Sequence, residues 1–391
     1  MIQWCQARRM TFLTFAADGF AIGAWSVAVA RIQHGLGVSD AAMGWALLAF
    51  AGGAIVFMVL AGRLVGRWGA CHLSIVSGLT AAAALALTAW MPSLVTLSLL
   101  LILLGAGHGS LDVVMNTRAS ALERDKDKTM MSSFHAGWSI GGLAGAGTAG
   151  GLIMLSAPPA LLTGGPALIP ALAMVTVALY GDRTPAGQVS APVAVLAWPS
   201  RAVSGLGVLA FLSLLAEGIV ANWSSLYLQA VLPDSGGGIA VGYGAFALAM
   251  LAGRVAGDRL VTCWGIERLL PLGALMAAIG LAMVLLWPSL ITAILGFGMM
   301  GAGLANVVPQ VFSRAASRHH DPNMGIAMVA TMGYGGLLLG PALIGGLAGV
   351  ASLRLALAML VLVLVVMGLG SAWAWRSAWI SFFSSSRRTA R

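Results

Sequence analysis

Long apolar stretches alternate with short polar breaks along the whole chain. Twelve stretches approach or exceed the roughly 20 helical residues that cross a bilayer, and they lie near 10–32, 41–61, 72–91, 94–117, 130–154, 158–181, 203–230, 238–257, 267–287, 290–312, 323–348 and 351–375. The stretch 158–181 is the most interrupted, because it contains Pro166 and Pro170. A backbone in lipid must satisfy its own hydrogen bonds, so each stretch is predicted to be an α-helix. The pattern therefore predicts an all-α membrane protein with twelve transmembrane helices.

The second half of the chain repeats short segments of the first half in the same order. Pro92-Ser93-Leu94 recurs as Pro288-Ser289-Leu290, an offset of 196 residues (92 to 288), and segment 105–107 recurs at 301–303 with the same offset. Six spans return the chain to its starting side, so the repeat is parallel. We therefore predict an N-terminal six-helix bundle at 1–181, a cytoplasmic linker at 182–200, a C-terminal six-helix bundle at 201–376 and a cytoplasmic tail at 377–391.

Glycines are concentrated in the fifth and eleventh predicted spans. Gly141 and Gly145 are four residues apart in one span, and Gly336 and Gly340 are four apart in the other. Small residues at this spacing form a helix face that a neighbouring helix can approach closely. Both spans are therefore predicted to pack tightly against a partner helix.

Composition excludes most other classes of protein. Hydrophobic residues make up 59% of the chain and charged residues only 8%, against about 25% charged in soluble domains. A soluble enzyme, a nucleic-acid-binding domain and a secreted disulfide scaffold are excluded, because each must cover its surface with polar groups. The three cysteines are isolated, and we expect neither a metal site nor a cofactor. A phosphate-binding G-x-x-x-x-G-K-[ST] motif is absent, so ATP is not expected to drive this chain.

The placement of basic residues predicts the orientation. Of the 21 Lys and Arg residues, all except Arg31 and Arg354 fall on one side of the predicted membrane. Basic residues accumulate in cytoplasmic loops, so both termini are predicted to be cytoplasmic. The net charge of +9 is thus explained without nucleic acid. The compact chain with short loops is typical of a multi-pass protein of a bacterial inner membrane.

Three carboxylates fall inside predicted spans, namely Asp18, Asp112 and Glu217. A charge at the centre of a bilayer costs about 2.5–3.5 kcal/mol on insertion scales, so such residues usually face a wet cavity or a partner. With no Lys or Arg expected at mid-span, burial favours their neutral form, and all three are candidates for proton coupling. Asp112 is six residues from Arg118 and has the alternative of reaching the cytoplasmic interface.

Polar and aromatic residues in the spans are the other candidates for chemistry. His108, Asp112 and Asn116 lie at i, i+4 and i+8 on one helical stripe, and His135 opens the fifth span as a further coupling candidate. Rings next to polar groups suit sugars and other ring-shaped solutes. The predicted substrate-binding residues are His108, Asn116, Trp25, Trp138, Asn222, Trp223 and Tyr334. Helix–helix hydrogen bonding for the polar residues, and packing or lipid contact for the aromatic ones, are the alternatives.

The segment Gly62-Arg63-Leu64-Val65-Gly66-Arg67-Trp68-Gly69 resembles a signature of the major facilitator superfamily, G-x-L-x-D-R-x-G-R-R, between its second and third helices. Here Gly66 replaces the acidic residue, and Ala70-Cys71 replaces the final basic pair. A second copy, Gly253-Arg254-Val255-Ala256-Gly257-Asp258-Arg259, keeps an Asp-Arg pair. The resemblance implies the major facilitator fold. It also implies cytoplasmic gating loops that contain Gly62, Arg63, Arg67, Gly253, Arg254, Asp258 and Arg259.

A narrower resemblance is to the MosC/YbjJ-like branch, with fucose-type permeases as distant relatives. Its residues are 111–116 in the fourth span, 134–139 opening the fifth, and Glu217-Gly218 with Trp223-Ser224 in the seventh. Fucose-type permeases also carry an acidic residue with Asn four residues later in the fourth span. The resemblance implies secondary transport by alternating access.

Together these features predict a secondary active transporter and not an enzyme. We expect proton-coupled transport of a small polar solute such as a sugar or polyol. The alternative is a proton-driven exporter of hydrophobic or cationic compounds, which membrane carboxylates without basic partners would also suit. A membrane enzyme or sensor would need a catalytic cluster or a long soluble domain, which the sequence does not contain. The expected partners are the solute, protons and the lipid bilayer, with the chain acting as a monomer.

Overall fold

The computed structural model describes residues 2–38, 40–181, 201–232 and 241–386, and most of these residues are in helices. The helices are α1 (Ile2–Leu36), α2 (Asp40–Trp68), α3 (Ala70–Leu87), α4 (Leu94–Lys126), α5 (Met131–Met154), α6 (Pro159–Tyr180), α7 (Arg201–Val231), α8 (Val241–Trp264), α9 (Ile266–Leu286), α10 (Leu290–Leu304), α11 (Val307–Arg318), α12 (Pro322–Val350) and α13 (Leu353–Ser386). The predicted linker 182–200 lies outside the described residues, as do residues 387–391 of the predicted tail. Helix α13 continues without a break to Ser386 and so includes residues 377–386 of the predicted tail, whose cytoplasmic location stays a prediction.

The predicted spans correspond to helices in the described residues. Ten stretches are long and apolar enough to cross a membrane, and α10 and α11 together form one of them, Leu290–Arg318. Helices α5 and α8 have 24 residues each and correspond to the other two spans that the sequence predicts. Pro166 and Pro170 do not interrupt α6, which runs as one helix from Pro159 to Tyr180.

Helix boundaries repeat at the offset found in the sequence. Ser93 and Ser289 begin α4 and α10, each with a capping box completed by the Thr three residues later. Gly69 (φ 76°) and Gly265 (φ 73°) precede α3 and α9. Only glycine adopts a positive φ at little cost, so each glycine permits the sharp entry into its helix.

Glycine faces allow helices to cross at close range, as predicted for the fifth and eleventh spans. A Cβ added at Gly141 of α5 would collide with the carbonyl oxygen of Ala16 in α1. One at Gly336 of α12 would collide with the carbonyl oxygen of Phe211 in α7. Such side chains cannot fit without moving backbone, so helix contact at these points requires glycine.

The described residues form two compact units. Unit 1 comprises Met1–Gly207 with Val311–Tyr334, and unit 2 comprises Val208–Gln310 with Gly335–Arg391. The segment 311–334 comes from the second sequence repeat but packs within unit 1. Unit 1 therefore contains α1 to α6, the beginning of α7, most of α11 and the beginning of α12.

Large apolar side chains remain exposed on the outer faces of the helices. Examples are Trp45 at 73%, Val95 at 69% and Leu168 at 62% exposure. A soluble protein rarely leaves so many such side chains in water. The pattern is that of helices whose outer faces contact lipid.

Candidate functional site

Asp18 is the centre of a buried polar network in unit 1. The residue is only 2% exposed on α1. Its Oδ1 lies 2.9 Å from Nδ1 of His108 on α4, and its Oδ2 accepts a hydrogen bond of 2.9 Å from Nε1 of Trp138 on α5. Both carboxylate oxygens therefore have a partner, and three helices are joined through one side chain.

Close packing of α1 against α5 makes this network possible. A Cβ added at Gly19, next to Asp18, would collide with the carbonyl oxygen of Trp138. Gly145 approaches the carbonyl oxygen of Phe20 in the same way, about two turns beyond Trp138 along α5. Because the backbones touch, the indole of Trp138 reaches Asp18 across the crossing.

His108 extends the network to Tyr334 on α12. Its Nε2 lies 2.5 Å from the Tyr334 hydroxyl oxygen, and its ring stacks on Phe50 with centroids 5.8 Å apart. A neutral imidazole that donates from Nδ1 to Asp18 accepts from the Tyr334 hydroxyl at Nε2, whereas a protonated ring donates at both nitrogens. One proton on His108 thus decides the direction of the Tyr334 bond.

A second polar network lies one turn along α4 from His108. The Asn116 amide donates to the Asp112 carbonyl at 2.8 Å and to Asp112 Oδ1 at 3.2 Å. His135 on α5 lies 3.0 Å from Asn116 Oδ1 and therefore donates from Nε2. Asp112 is 6% exposed and does not reach an aqueous interface. Its Oδ2 is buried and has no hydrogen-bond partner among the described residues.

Aromatic rings hold His135 in place. The ring lies edge-on to Phe15, with centroids 5.3 Å apart, and 6.0 Å from the ring of Phe312 on α11. Phe15 in turn stacks on Phe134 at 5.6 Å. His135 is only 7% exposed, so its side chain is largely shielded from bulk water.

In unit 2, Glu217 of α7 faces Arg254 of α8. The Arg254 Nη2 and Glu217 Oε2 atoms are 3.8 Å apart, and Arg254 is 4% exposed. Arg254 also donates from Nε to the Ala305 carbonyl at 3.4 Å, and the Ser213 hydroxyl donates to Glu217 Oε1 at 3.5 Å. The expectation that no cation lies at mid-span was therefore wrong. Arg254 is inside the helix bundle and not in a loop.

The other predicted gating residues also belong to helices. Gly62, Arg63 and Arg67 lie on the last turns of α2, and Gly253, Asp258 and Arg259 lie within α8. Gly62 contacts the start of α12, where an added Cβ would meet the Cβ of Ala327 at 2.9 Å. The predicted gating residues therefore lie in helices α2 and α8 and not in loops. Their gating role stays a prediction.

The contacts of the remaining predicted substrate residues are of other kinds. Trp25 is 5% exposed and belongs to an apolar cluster with Ala21, Ala28 and Leu101. Asn222 donates to the Gly218 carbonyl of its own helix at 2.8 Å. Trp223 packs against Gly345 of α12. The structure supports a packing role for Trp25.

Glu123 is a buried carboxylate that sequence reasoning missed. It is 8% exposed near the end of α4. Its Oε1 accepts from the backbone N–H groups of Met130 at 2.8 Å and Met131 at 2.9 Å, where α5 begins. Its Oε2 accepts from the Ser313 hydroxyl of α11 at 2.6 Å. The sequence signal was available, because Glu123 is eleven residues after Asp112, three helical turns along the same face.

No cluster of three or more His, Cys, Asp or Glu side chains that can hold a metal occurs in the described part of the chain. The networks instead offer hydrogen-bond donors, acceptors and exchangeable protons in a dry environment. Such groups can bind hydroxyls and carry protons.

Comparisons with known proteins agree with this architecture. Residues 10–320 match the family model described as Major Facilitator Superfamily. The chain is 33% identical to an uncharacterized MFS-type transporter of Yersinia pestis, over 88% of this chain and 90% of the relative. It is 34% identical to the membrane protein MosC of Rhizobium meliloti, over 87% of this chain and 83% of the relative.

Solved structures with the same fold cover nearly the whole chain. The E. coli fucose:proton symporter FucP aligns with a TM-score of 0.73 at 16% identity, covering 93% of this chain and 97% of that one. The nucleoside transporter NupG aligns with a TM-score of 0.64 at 12% identity, covering 94% and 98%. The human organic anion transporter MFSD10 gives a TM-score of 0.76 at 13% identity, covering 94% and 99%.

Proposed function

We propose that this chain, which belongs to the major facilitator superfamily, is a proton-coupled symporter. Membership of the superfamily makes it a multi-pass membrane transporter of small solutes and not an enzyme. Its cargo in this proposal is a small polar solute such as a sugar or polyol. The transport cycle is alternating access between the two six-helix repeats, 1–181 and 201–376. The proposal places both termini in the cytoplasm and the monomeric protein in a bacterial inner membrane.

The single observation that carries the proposal is the state of Asp112. This carboxyl group is buried, and its Oδ2 has no hydrogen-bond partner among the described residues. An ionised carboxylate with one oxygen unpaired in a dry site loses about 1–3 kcal/mol or more of hydrogen bonding to water. A proton on Oδ2 removes that charge, and a substrate hydroxyl can supply the missing bond. Asp112 therefore suits a group that exchanges a proton as substrate enters or leaves.

Asp18 has a different role in the same proposal. Both of its oxygens have hydrogen-bond partners, His108 and Trp138. Asp18 therefore holds His108 in position, one turn of α4 away from Asp112.

Glu217 is a weaker candidate for the coupling proton than Asp112. Its neighbour Arg254 gives it a cation at 3.8 Å, so its burial does not require a proton. We assign the pair to charge balance and substrate contact in unit 2. The proton-coupling role predicted for Glu217 is therefore secondary in this proposal.

Two of the related structures support a sugar-like cargo. FucP is a fucose:proton symporter and NupG a nucleoside transporter, and both cargoes contain a sugar ring with hydroxyl groups. Buried amide, imidazole and phenol groups such as those of Asn116, His108 and Tyr334 are donors and acceptors that recognise hydroxyls. The alternative, export of cationic compounds, is less well supported, because Asp18 and Glu217 already have donor partners.

Glu123 provides a contact for the alternating cycle. Its carboxylate joins the junction of α4 and α5 to Ser313 of α11, and α11 belongs to the second repeat. We propose that this bond is made in one state of the cycle and broken in the other.

A ligand screen tests the proposal. Purified protein is heated with single sugars, polyols, amino acids and lipophilic cations, at mildly acidic and at neutral pH, and the Tm is recorded. A ligand of the folded state raises Tm with concentration. We expect a sugar or polyol to raise Tm, with a dependence on pH. Hits confined to lipophilic cations would contradict the symporter and favour the exporter.

A further inference from the structure

A cavity of about 190 Å³ lies between α1, α3 and α4 of unit 1. Its lining includes Thr11 of α1, Ala70 and Cys71 of α3, and Thr117 and Arg118 of α4. Arg118 is six residues from Asp112, which places it about 240° around the helix from the carboxyl group. The cavity is therefore on a different face of α4 from the polar network that contains Asp112.

Two side chains of α4 give this cavity its chemistry. Arg118 is only 9% exposed, although its guanidinium carries a positive charge and five N–H donors. The Thr117 hydroxyl oxygen is fully buried and has no hydrogen-bond partner among the described residues. A planar guanidinium recognises carboxylate and phosphate groups with paired hydrogen bonds. A hydroxyl beside it supplies one further donor.

The beginning of α3 adds backbone donors at the same place. Helix α3 begins at Ala70, and its N-cap Gly69 has no side chain to cap the first N–H groups. Ala70 and Cys71 of this first turn line the cavity. The first N–H groups of a helix have no partner within it and carry a partial positive charge, which favours an anion. The side chains that line the cavity include no acidic group.

The size of the cavity agrees with a small anion. A water molecule occupies about 30 Å³ in the liquid, so 190 Å³ holds several waters or one phosphate group with space remaining. We propose that this cavity binds a phosphate group and thereby fastens α1, α3 and α4 together. Either the headgroup of an anionic lipid or free phosphate has this chemistry, and the cavity is partly open to admit it.

Binding is measured on the full-length protein with inorganic phosphate as the probe. Detergent-solubilised protein is titrated with phosphate against chloride at constant ionic strength, and Tm is followed. Wild-type Tm should rise with phosphate concentration, and the size of the rise gives the Kd for phosphate. In Arg118→Gln this Kd should increase at least about tenfold, because a charge-assisted bidentate contact is lost. Arg124→Gln is the matched control, since Arg124 is exposed on the same helix and bonds to Ser120.

A second arm distinguishes the source of the phosphate group. Protein in nanodiscs of phosphatidylcholine is compared with protein in nanodiscs that also contain phosphatidylglycerol. A rise in Tm that requires Arg118 and occurs only with phosphatidylglycerol identifies a lipid site, and one that occurs with free phosphate identifies an ion site.

The proposal is overturned if neither probe raises Tm, or if Arg118→Gln responds as Arg124→Gln does. Thr117→Val covers the case in which Arg118→Gln does not fold. It removes the unpaired hydroxyl at nearly constant shape, and an unchanged Kd for phosphate together with an unchanged rise in Tm in phosphatidylglycerol nanodiscs would then refute the site.

Discussion

The contact between Glu123 and Ser313 allows the effect of one substitution on a conformational equilibrium to be calculated. Ser313→Ala removes one hydrogen bond of 2.6 Å to a carboxylate that is 8% exposed. Hydrogen bonds to charged groups contribute about 1.5–3 kcal/mol. Since each 1.4 kcal/mol is a factor of about ten in an equilibrium constant, the state in which α11 leaves α4 should gain at least about tenfold in population.

Hydrogen exchange detected by mass spectrometry measures this change. Exchange should become faster at the start of α5 and along α11, because the carboxylate keeps its bonds to Met130 and Met131 but loses the one to α11. Ser317→Ala is the matched control, because the Ser317 hydroxyl donates only to the Arg314 carbonyl of its own helix. If the two variants exchange at the same rate in both segments, Ser313 does not hold α11 and the reasoning fails.

Two further predictions concern packing and charge. Gly141→Ala should destabilise the protein by about 1–3 kcal/mol or more, because its Cβ meets the Ala16 carbonyl. The control Gly147→Ala has open space at its Cβ and should leave Tm nearly unchanged. Equal Tm values for the two variants would contradict the close crossing of α1 and α5. Arg254→Gln should destabilise the protein by at most about 3–5 kcal/mol, because the partly buried Glu217, 16% exposed, then lacks its cation. Adding Glu217→Gln should restore part of that loss in the same thermal unfolding experiment, and a double variant less stable than Arg254→Gln would argue against the ion pair.

The fold was largely predictable because it depends on patterns that are local in sequence. Apolar stretches predicted the spans, and the repeat at offset 196 recurs in the capping boxes of Ser93 and Ser289. The resemblance to the major facilitator superfamily and to its MosC branch is confirmed by the comparisons. The stripe of His108, Asp112 and Asn116 was also predictable, because helical spacing places these residues on one face.

The partners of these residues depend on which helices cross, and no local pattern contains that information. Asp18 meets His108 and Trp138 only because α1 packs against both α4 and α5. Arg254 was assigned to a loop because basic residues usually mark loops, but α8 continues to Trp264 and buries it beside Glu217. Glu123 was overlooked because α4 extends nine residues beyond the predicted span, from 117 to Lys126.

The most direct test of the proposed coupling is transport by Asp112→Asn in sealed vesicles. The solute is the sugar or polyol that stabilises the wild type most. Asparagine keeps the size of the side chain and an acceptor for Asn116, but it cannot exchange a proton. We predict that the variant still exchanges labelled for unlabelled solute across the membrane and no longer accumulates solute in response to a proton gradient. Gradient-driven accumulation with the pH dependence of the wild type would contradict the account.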